Sequence, residues 1–463
     1  MAIQEEPPHP QGGRGDGKTP DPLPQNPLPQ GGRGPEPNPL PPWGRGQGEG
    51  GTKGEGGTKG EGGPKGQGST KGERGPSGEG GALAGVRVVD LTSYIAGSYG
   101  AMMLADLGAD VVKVEAIEGD SFRELPGFYG WNRGKRSLAV NVKDPDGRAI
   151  VHRLARTADV VMENMRPGVV ERLGVDYETL RALNPRLIYA TVTAFGSDGP
   201  YKERPGFDPL LQAMGGVMTL QGFGDAPQYL RVAVTDYYCA SLNCQMVLAA
   251  LFARERTGKG QRVQTSLLQA VLALQSGNVV AYPGHEVIFR STPTYRLYQG
   301  SDHEWFFLAV GNQSFWVKLC KAVGREDLAR DPRFGSWFAR RDHADVLVPL
   351  LEEAFSSKPA VEWVAILAAH DIPAAPTQSL REFMRDPAVL HHKMIVEYEH
   401  PELGPLRLMG QPLRFSETQA PDAGPPPLLG QHTAQVLREA GYADHEIAEL
   451  RRRGVVAGKD IPS

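Results

Sequence analysis

The sequence contains little cysteine and no long apolar run. Its 463 residues include three cysteines, Cys239, Cys244 and Cys320, and no two of them form a Cys-x-x-Cys pair. This spacing argues against a disulfide framework or a zinc site and favours buried free thiols in a reducing compartment. No apolar run has transmembrane length, and the N-terminus lacks the apolar core of a signal peptide. We therefore expect a soluble, cytoplasmic protein without a metal or a membrane partner.

The sequence also has no excess of positive charge. It holds 50 Lys and Arg against 54 Asp and Glu, which gives a net charge of −4. An extended basic surface for nucleic acid is therefore not expected.

Residues 1–81 consist largely of glycine, proline and charged residues. The segment has too few apolar residues to offset the entropy of ordering the chain. We predict that this segment is disordered. A weak collagen-like stalk is the alternative, because glycine recurs at every third position from Gly48 to Gly81, with a single break at Ser69.

Strand and helix patterns alternate through residues 82–264. Buried strands are predicted at 86–91 and 111–115, with a glycine-containing turn at 96–100 and a helix at 101–107 between them. Further strands and helices follow in the same order, which predicts a doubly wound, mostly parallel α/β sheet. The glycines do not have the GxGxxG spacing, so no dinucleotide site is predicted. Residues 265–371 have a mixed pattern typical of a smaller α+β lobe.

Two basic segments adjoin the predicted strands. The segment 132–137 contains Lys135 and Arg136, and the segment 163–168 contains Arg166, with Arg172 on the helix that follows. Ligands of open α/β sheets bind at the carboxyl ends of the strands, and arginine forks bind phosphate. We expect both segments at such ends, where they would hold a phosphate-bearing ligand. The alternative is a solvated cluster of surface charges.

A single carboxylate, Asp208, stands at the start of an apolar helical pattern. The turn Arg204-Pro205-Gly206 precedes it, and Pro209 suits the first helical turn. Four residues recur at helical spacing and are expected to face the core: Leu210, Leu211, Met214 and Val217. Asp208 taken alone could be only an N-cap. His432, before the last long helix, is similarly expected to act as a cap or a dimer contact.

Several stretches, in order along the chain, resemble the class III CoA-transferases, the family of formyl-CoA transferase and the carnitine and bile-acid CoA-transferases. These stretches are GVRVVDLT, LADLGADVVKVE, NRGKRSLAV, ADVVMENMRPGVVERLG, NPRLIYATVTAFGSDGP, RPGFDPLLQAMGG, ALFARERTGKGQ, DIPAAPT and LLGQHT. Each stretch is modest alone, and their order makes the resemblance specific. It covers residues 83–440.

The resemblance implies a function for the residues already noted. Asp208 matches the family's catalytic aspartate. Six residues match the segments that hold coenzyme A: Lys135, Arg136, Asn164, Met165, Arg166 and Arg172. The implied subunit has a large lobe that begins with residues 82–264 and is completed by residues 372–463. Two such subunits would interlock as a homodimer, with an acyl-CoA and a carboxylic acid as substrates.

The chain departs from the family pattern at three places, and two other functions remain open. Ser98 replaces a usual proline, Ala116 replaces an arginine of the formyl-CoA enzyme, and residues 290–300 lack its glycine-rich lid. An acid larger than oxalate or formate is therefore expected. An α-methylacyl-CoA racemase shares the fold, but it needs a His–Asp pair for proton transfer, and here Phe207 precedes Asp208. The remaining alternative is a non-catalytic CoA-binding or scaffold protein.

Overall fold

The computed structural model of the chain describes residues 80–221, 226–283, 292–418 and 422–459. The predicted disorder of residues 1–81 concerns a segment that lies, except for its last two residues, outside this range. The first two residues of the segment 290–300, where a lid was considered, also lie outside it.

Twelve strands and eighteen α-helices are found within the described residues. The strands are β1 (Arg87–Asp90), β2 (Asp110–Glu115), β3 (Arg136–Val140), β4 (Val160–Glu163), β5 (Ile188–Thr193), β6 (Arg262–Ser266), β7 (Tyr295–Gln299), β8 (Trp305–Ala309), β9 (Ala374–Pro376), β10 (Ile395–His400), β11 (Gly404–Met409) and β12 (Val456–Ala457). The helices of the first half are α1 (Tyr94–Asp106), α2 (Pro126–Asn132), α3 (Pro145–Ala155), α4 (Val169–Leu173), α5 (Tyr177–Leu183), α6 (Asp208–Met214), α7 (Val217–Leu220), α8 (Val234–Thr257) and α9 (Leu267–Ala273). Those of the second half are α10 (Gln313–Ala322), α11 (Glu326–Arg330), α12 (Trp337–Asp342), α13 (Ala344–Phe355), α14 (Ala360–Ala369), α15 (Leu380–Phe383), α16 (Pro387–His391), α17 (Thr433–Glu439) and α18 (Asp444–Arg452).

Seven strands form one large sheet in the order β12-β3-β2-β1-β4-β5-β6. All neighbouring pairs are parallel except β12, which runs antiparallel to β3. Apolar side chains of the sheet are buried on both faces, as expected where helices cover both sides of a parallel sheet. The predicted α/β fold class is therefore confirmed.

Helix α1 begins seven residues before the predicted helix, and the predicted glycine turn is wrong. Residues 96–100 are helical and lie against α8. A Cβ atom at Gly100 would lie 3.0 Å from Nδ2 of Asn243 and 3.1 Å from the carbonyl oxygen of Ala240. The glycine therefore permits close contact between two helices, and it does not mark a turn.

The middle of the chain forms a separate core beside an antiparallel sheet. Strands β7, β8 and β9 pair antiparallel, and side chains such as Trp316, Phe334 and Phe355 are fully buried against them. Strands β10 and β11 form a two-stranded antiparallel sheet. The exact division of the chain into lobes stays a prediction.

Two further searches cover the described residues only. Among them, no helix is both long and apolar enough to cross a membrane. Within the same ranges, no three His, Cys, Asp or Glu side chains are grouped so that they could hold a metal ion.

Candidate active site

Asp208 is the first residue of helix α6, and its side chain does not cap that helix. The N-cap position belongs to Phe207, which makes no side-chain capping bond. The hypothesis that Asp208 is the N-cap of its own helix is therefore wrong. Its side chain is nevertheless buried, with 2% of the residue exposed. Other groups must therefore satisfy the carboxylate.

The Asp208 carboxylate caps a different helix, α8. Its Oδ2 accepts hydrogen bonds from the backbone N–H groups of Thr235 at 2.8 Å and Asp236 at 3.2 Å. These are the second and third residues of a helix 24 residues long, and its own N-cap residue, Ala233, has no polar side chain. Unpaired N–H groups and the helix dipole favour negative charge at such an end. The helix terminus thus stabilises the carboxylate without neutralising it by a cation.

Gln212 holds the other carboxylate oxygen. Its Nε2 donates to Oδ1 of Asp208 at 2.5 Å and to the carbonyl oxygen of Leu230 at 3.1 Å, and its Oε1 accepts from the N–H of Leu230 at 3.3 Å. Gln212 is fully buried. Sequence reasoning missed this residue, although its position four residues after Asp208 on one helix face was a usable signal.

A second carboxyl group lies close to Asp208. Burial, followed by the negative charge of Asp208, raises the pKa of Asp236 to about 7. Near neutral pH, Asp236 therefore retains much of its proton. The retained proton reduces the repulsion between the two carboxyl groups at the end of α8.

An aromatic contact connects Phe207, the residue before Asp208, to the loop at the carboxyl edge of the large sheet. Asn164, which follows β4, accepts from the N–H of Ser93 at 2.9 Å and donates to its carbonyl oxygen at 2.7 Å. The next residue, Tyr94, has a φ of 59°, a left-handed conformation that is strained for a tyrosine. Its ring lies 5.8 Å from that of Phe207, centroid to centroid. Asn164 thus fixes the loop whose aromatic ring contacts the neighbour of Asp208.

Helix α4, which follows the second basic segment, lines a pocket with residues that follow β3. Arg166 and Arg172 are exposed, whereas Met165 packs against the core. The pocket has a volume of about 350 Å³ and is lined by Val142, Lys143, Arg148, Val169, Arg172 and Leu173. Sequence analysis missed Lys143 and Arg148 because they stand apart in the sequence. They come together with Arg172 only in the folded chain. Three cationic side chains are thus brought together here.

Lys135 and Arg136 do not join this pocket. Their segment leads into β3, so its expected position at the carboxyl end of a strand is wrong. The Lys135 ammonium is buried and donates to Asp90 Oδ2, the carbonyl oxygen of Ser98 and Asn132 Oδ1, each at 2.8 Å. Arg136 forms a fork with Asp110, the first residue of β2, at 2.9 and 2.6 Å. The structure therefore places both residues in ion pairs of the fold.

Several apolar side chains around Asp208 point outward. The expectation that Leu210 and Met214 face the core is wrong, since they are 48% and 51% exposed, whereas Leu211 and Val217 are buried as expected. Phe207 is 50% exposed beside them. A grouped apolar surface of this kind is typical of an interface.

His432 stands before α17, and its Nδ1 accepts a hydrogen bond from the N–H of Ser137 at 3.2 Å. This bond connects the start of α17 to β3.

Comparison with known proteins places these features in a family. Residues 83–433 match the family model described as CoA-transferase family III. The formyl-CoA:oxalate CoA-transferase of Streptomyces avermitilis is 34% identical over 81% of this chain and 99% of its own length. The human succinyl-CoA:glutarate CoA-transferase is 33% identical over 81% of this chain and 90% of its own. The crystal structure of a CAIB/BAIF family protein from Brucella suis superposes with a TM-score of 0.70 at 34% identity, covering 78% of this chain and all of that one. The chain therefore belongs to CoA-transferase family III, a family of enzymes with coenzyme A as a substrate.

Proposed function

We propose that this enzyme moves coenzyme A from a donor acyl-CoA to an acceptor carboxylic acid, with Asp208 as the covalent nucleophile. The observation that supports this most is the state of the Asp208 carboxylate. It is buried, yet its three hydrogen-bond donors are two backbone amides and a carboxamide, all of them neutral. A carboxylate held by neutral donors is not paired with a cation, so it remains available for attack on a thioester.

The reaction proceeds by exchange of acyl groups at the Asp208 carboxylate. Asp208 attacks the thioester carbonyl of the donor, forms a mixed anhydride and releases CoA thiolate. The thiolate attacks the aspartyl carbonyl carbon, forms an aspartyl-CoA thioester and releases the donor's acid. The acceptor carboxylate then attacks this thioester, and the thiolate that leaves takes the new acyl group from the second anhydride. Each nucleophile is already an anion, so no general base is required.

The racemase and the scaffold are not favoured. The relatives are named as CoA-transferases, and among the described residues the contacts of Asp208 come from amide groups, without a histidine that could exchange a proton with the substrate. A scaffold would need Asp208 only as the cap of α8, whereas the match to CoA-transferases over most of the chain favours an enzyme.

The test is a transfer assay with isotopically labelled acids. The names of the relatives suggest two starting pairs, succinyl-CoA with deuterated glutarate or succinate, and formyl-CoA with carbon-13 oxalate. We expect the label to enter the acyl-CoA pool, as followed by mass spectrometry. Solvent deuterium at the α-carbon of a branched acyl-CoA, without acid exchange, would instead indicate the racemase. If no acyl-CoA is turned over, the result would favour the non-catalytic scaffold function.

The phosphates of CoA are proposed to bind at the pocket that Arg172 lines. The support is that Arg172, Lys143 and Arg148 line the same open cavity. Asn164 would act in addition by fixing the loop at Ser93, and Met165 by supporting the segment through the core. Lys135 and Arg136, which the resemblance also assigns to CoA, would act through the fold.

Replacing Arg172 by alanine is expected to weaken CoA binding roughly tenfold to a hundredfold, the range for loss of a charge-assisted contact. The choice of acid should not change, because this pocket is formed by elements other than those around Asp208. CoA affinity by calorimetry and acid preference in the transfer assay measure the two effects. Arg181→Ala is the matched control, since Arg181 is an exposed arginine on the neighbouring helix α5. Equal loss in both variants would show only a general effect of surface charge.

We also propose that a second copy of this chain covers the apolar surface beside Asp208. That surface comprises Phe207, Leu210 and Met214, together with Leu268 and Leu272 of α9, all exposed in the single chain. Interlocked homodimers are implied by the family resemblance. Sedimentation velocity should therefore give a dimer at micromolar concentration. Leu210→Asp should weaken the dimer, whereas Leu380→Asp, at an exposed leucine in the second half of the chain, should not. A monomer in the native protein would contradict the proposal.

A further inference from the structure

We propose that the two oxygens of Asp208 have different and fixed roles in the transfer. Oδ1 is the attacking oxygen, and it is exchanged in every turnover. Oδ2 is retained and serves as the carbonyl oxygen of the aspartyl intermediates, in an oxyanion site formed by the N–H groups of Thr235 and Asp236. This assignment rests on the proposed function and adds to it the groups that stabilise the aspartyl steps.

The contacts of Oδ2 suit an oxygen that gains negative charge. When the CoA thiolate attacks the aspartyl carbonyl carbon, the C=O electron pair moves onto this oxygen and forms a tetrahedral oxyanion. Two backbone donors at 2.8 and 3.2 Å already point at Oδ2. They belong to the first turn of α8, whose dipole favours negative charge there. Because the donors are fixed by the helix, they need no rearrangement as the charge develops.

The contacts of Oδ1 suit an oxygen that loses its charge. Oδ1 accepts one hydrogen bond, from the side chain of Gln212. As Oδ1 becomes the bridging oxygen of the anhydride, it becomes a poor acceptor and this bond weakens. The Gln212 amide can then turn its N–H groups to the carbonyl oxygens of Leu230 and Val232, which already lie 3.1 and 3.4 Å from Nε2. The attack through Oδ1 therefore leaves no buried donor unpaired.

The assignment has a consequence that can be followed atom by atom. When the thiolate expels the donor's acid from the first anhydride, the bridging oxygen leaves with that acid. When the acceptor attacks the aspartyl-CoA thioester, one of its own oxygens becomes the new bridging atom. That oxygen stays on Asp208 when the thiolate takes the new acyl group. Each turnover thus replaces one oxygen of Asp208 by one from the acceptor, and by this assignment it is always Oδ1.

The experiment is mass spectrometry of the native enzyme after many turnovers with an acid fully labelled with oxygen-18. The probe is succinyl-CoA with labelled succinate, or whichever acyl-CoA and acid exchange in the transfer assay above. A parallel sample with deuterated acid counts the turnovers. The peptide that contains Asp208 should carry one heavy oxygen, because Oδ2 never leaves its two donors. If the carboxylate rotated freely between cycles, its two oxygens would exchange places and most copies would carry two heavy oxygens. This result would overturn the assignment.

The same measurement separates failure of this inference from failure of the proposed function. Transfer without any heavy oxygen on Asp208 would remove the covalent route, and the inference would fall with it. Two heavy oxygens would leave the covalent route intact and remove only the fixed roles. Absence of transfer with every acyl-CoA and acid would overturn both.

A proline variant of Thr235 tests the donor itself. The Thr235 side chain is buried, and its hydroxyl has no hydrogen-bond partner among the described residues, so its contribution to Asp208 is the backbone N–H. Thr235→Pro removes this N–H within the first helical turn, where proline is tolerated, and should lower kcat by about 10²–10³-fold. Native transfer rates in a folded proline variant would contradict the oxyanion site. The labelling of the native enzyme decides the question even if that variant does not fold.

Discussion

Asp208→Asn is expected to lower CoA transfer by at least about 10³-fold while the fold is retained, because removal of a covalent nucleophile has effects of this order. The asparagine carbonyl oxygen can still accept from the N–H groups of Thr235 and Asp236, so α8 keeps its cap. The amide has no anionic oxygen, and it cannot form the mixed anhydride. The transfer assay measures the loss, and circular dichroism checks the fold.

The matched control is Asp236→Asn, which changes a neighbouring carboxyl group but keeps the backbone N–H that contacts Asp208. This variant should retain transfer within about tenfold, since its side chain forms no covalent bond in the proposed reaction. Hydroxylamine added to the native enzyme during turnover should convert one residue to a hydroxamate, which peptide mapping should locate at Asp208. Transfer at near-normal rate by Asp208→Asn, or a hydroxamate on another residue, would contradict the assignment.

The sequence predicts the local elements around this residue but not the groups that surround its carboxylate. The strand-helix alternation predicts the parallel sheet, and the strand predicted at 111–115 is observed as β2, Asp110–Glu115. Two of the three donors to Asp208 are the backbone N–H groups of Thr235 and Asp236, 27 and 28 positions away. Such a contact depends on how α6 packs beside α8, and a local pattern of apolar residues does not contain that distance.

The apolar pattern of α6 shows why burial is harder to predict than helicity. Leu210, Leu211 and Met214 have the spacing of a core-facing helix, but only Leu211 is buried in the single chain. A helix that faces a subunit interface has the same pattern as one that faces its own core. The periodicity therefore predicts an apolar face, and the three-dimensional arrangement decides what covers it.

Charge patterns have the corresponding ambiguity. Lys135 and Arg166 both stand in segments that were expected to bind phosphate, yet the Lys135 ammonium is buried in the fold and the Arg166 side chain is exposed. The difference comes from Asp90 at the end of β1, whose Oδ2 lies 2.8 Å from the Lys135 ammonium. A partner 45 residues away is not visible in a basic segment read by itself.

Lys135→Met is expected to lower the free energy of unfolding by about 3–5 kcal/mol, the cost of leaving a buried charge without its partner. The Lys135 and Asp90 side chains are 0% exposed, and their charged atoms lie 2.8 Å apart. Although burial alone would raise the pKa of Asp90, the charges of Lys135 and Lys113 hold it below its ordinary value. Without Lys135, the charge of Lys113 remains, and it offsets only part of the cost of burying the Asp90 carboxylate. Chemical denaturation followed by circular dichroism measures the difference.

The double variant Asp90→Asn/Lys135→Met separates a structural role of Lys135 from direct contact with CoA. Removing both charges leaves no unpaired buried carboxylate, so it should recover much of the stability lost in Lys135→Met. If Lys135 acts through the fold, CoA affinity should recover together with stability, because the pocket lined by Arg172 does not include Lys135. If Lys135 instead contacts CoA, its single variant should be nearly as stable as the native protein and bind CoA weakly, and the second substitution should restore nothing.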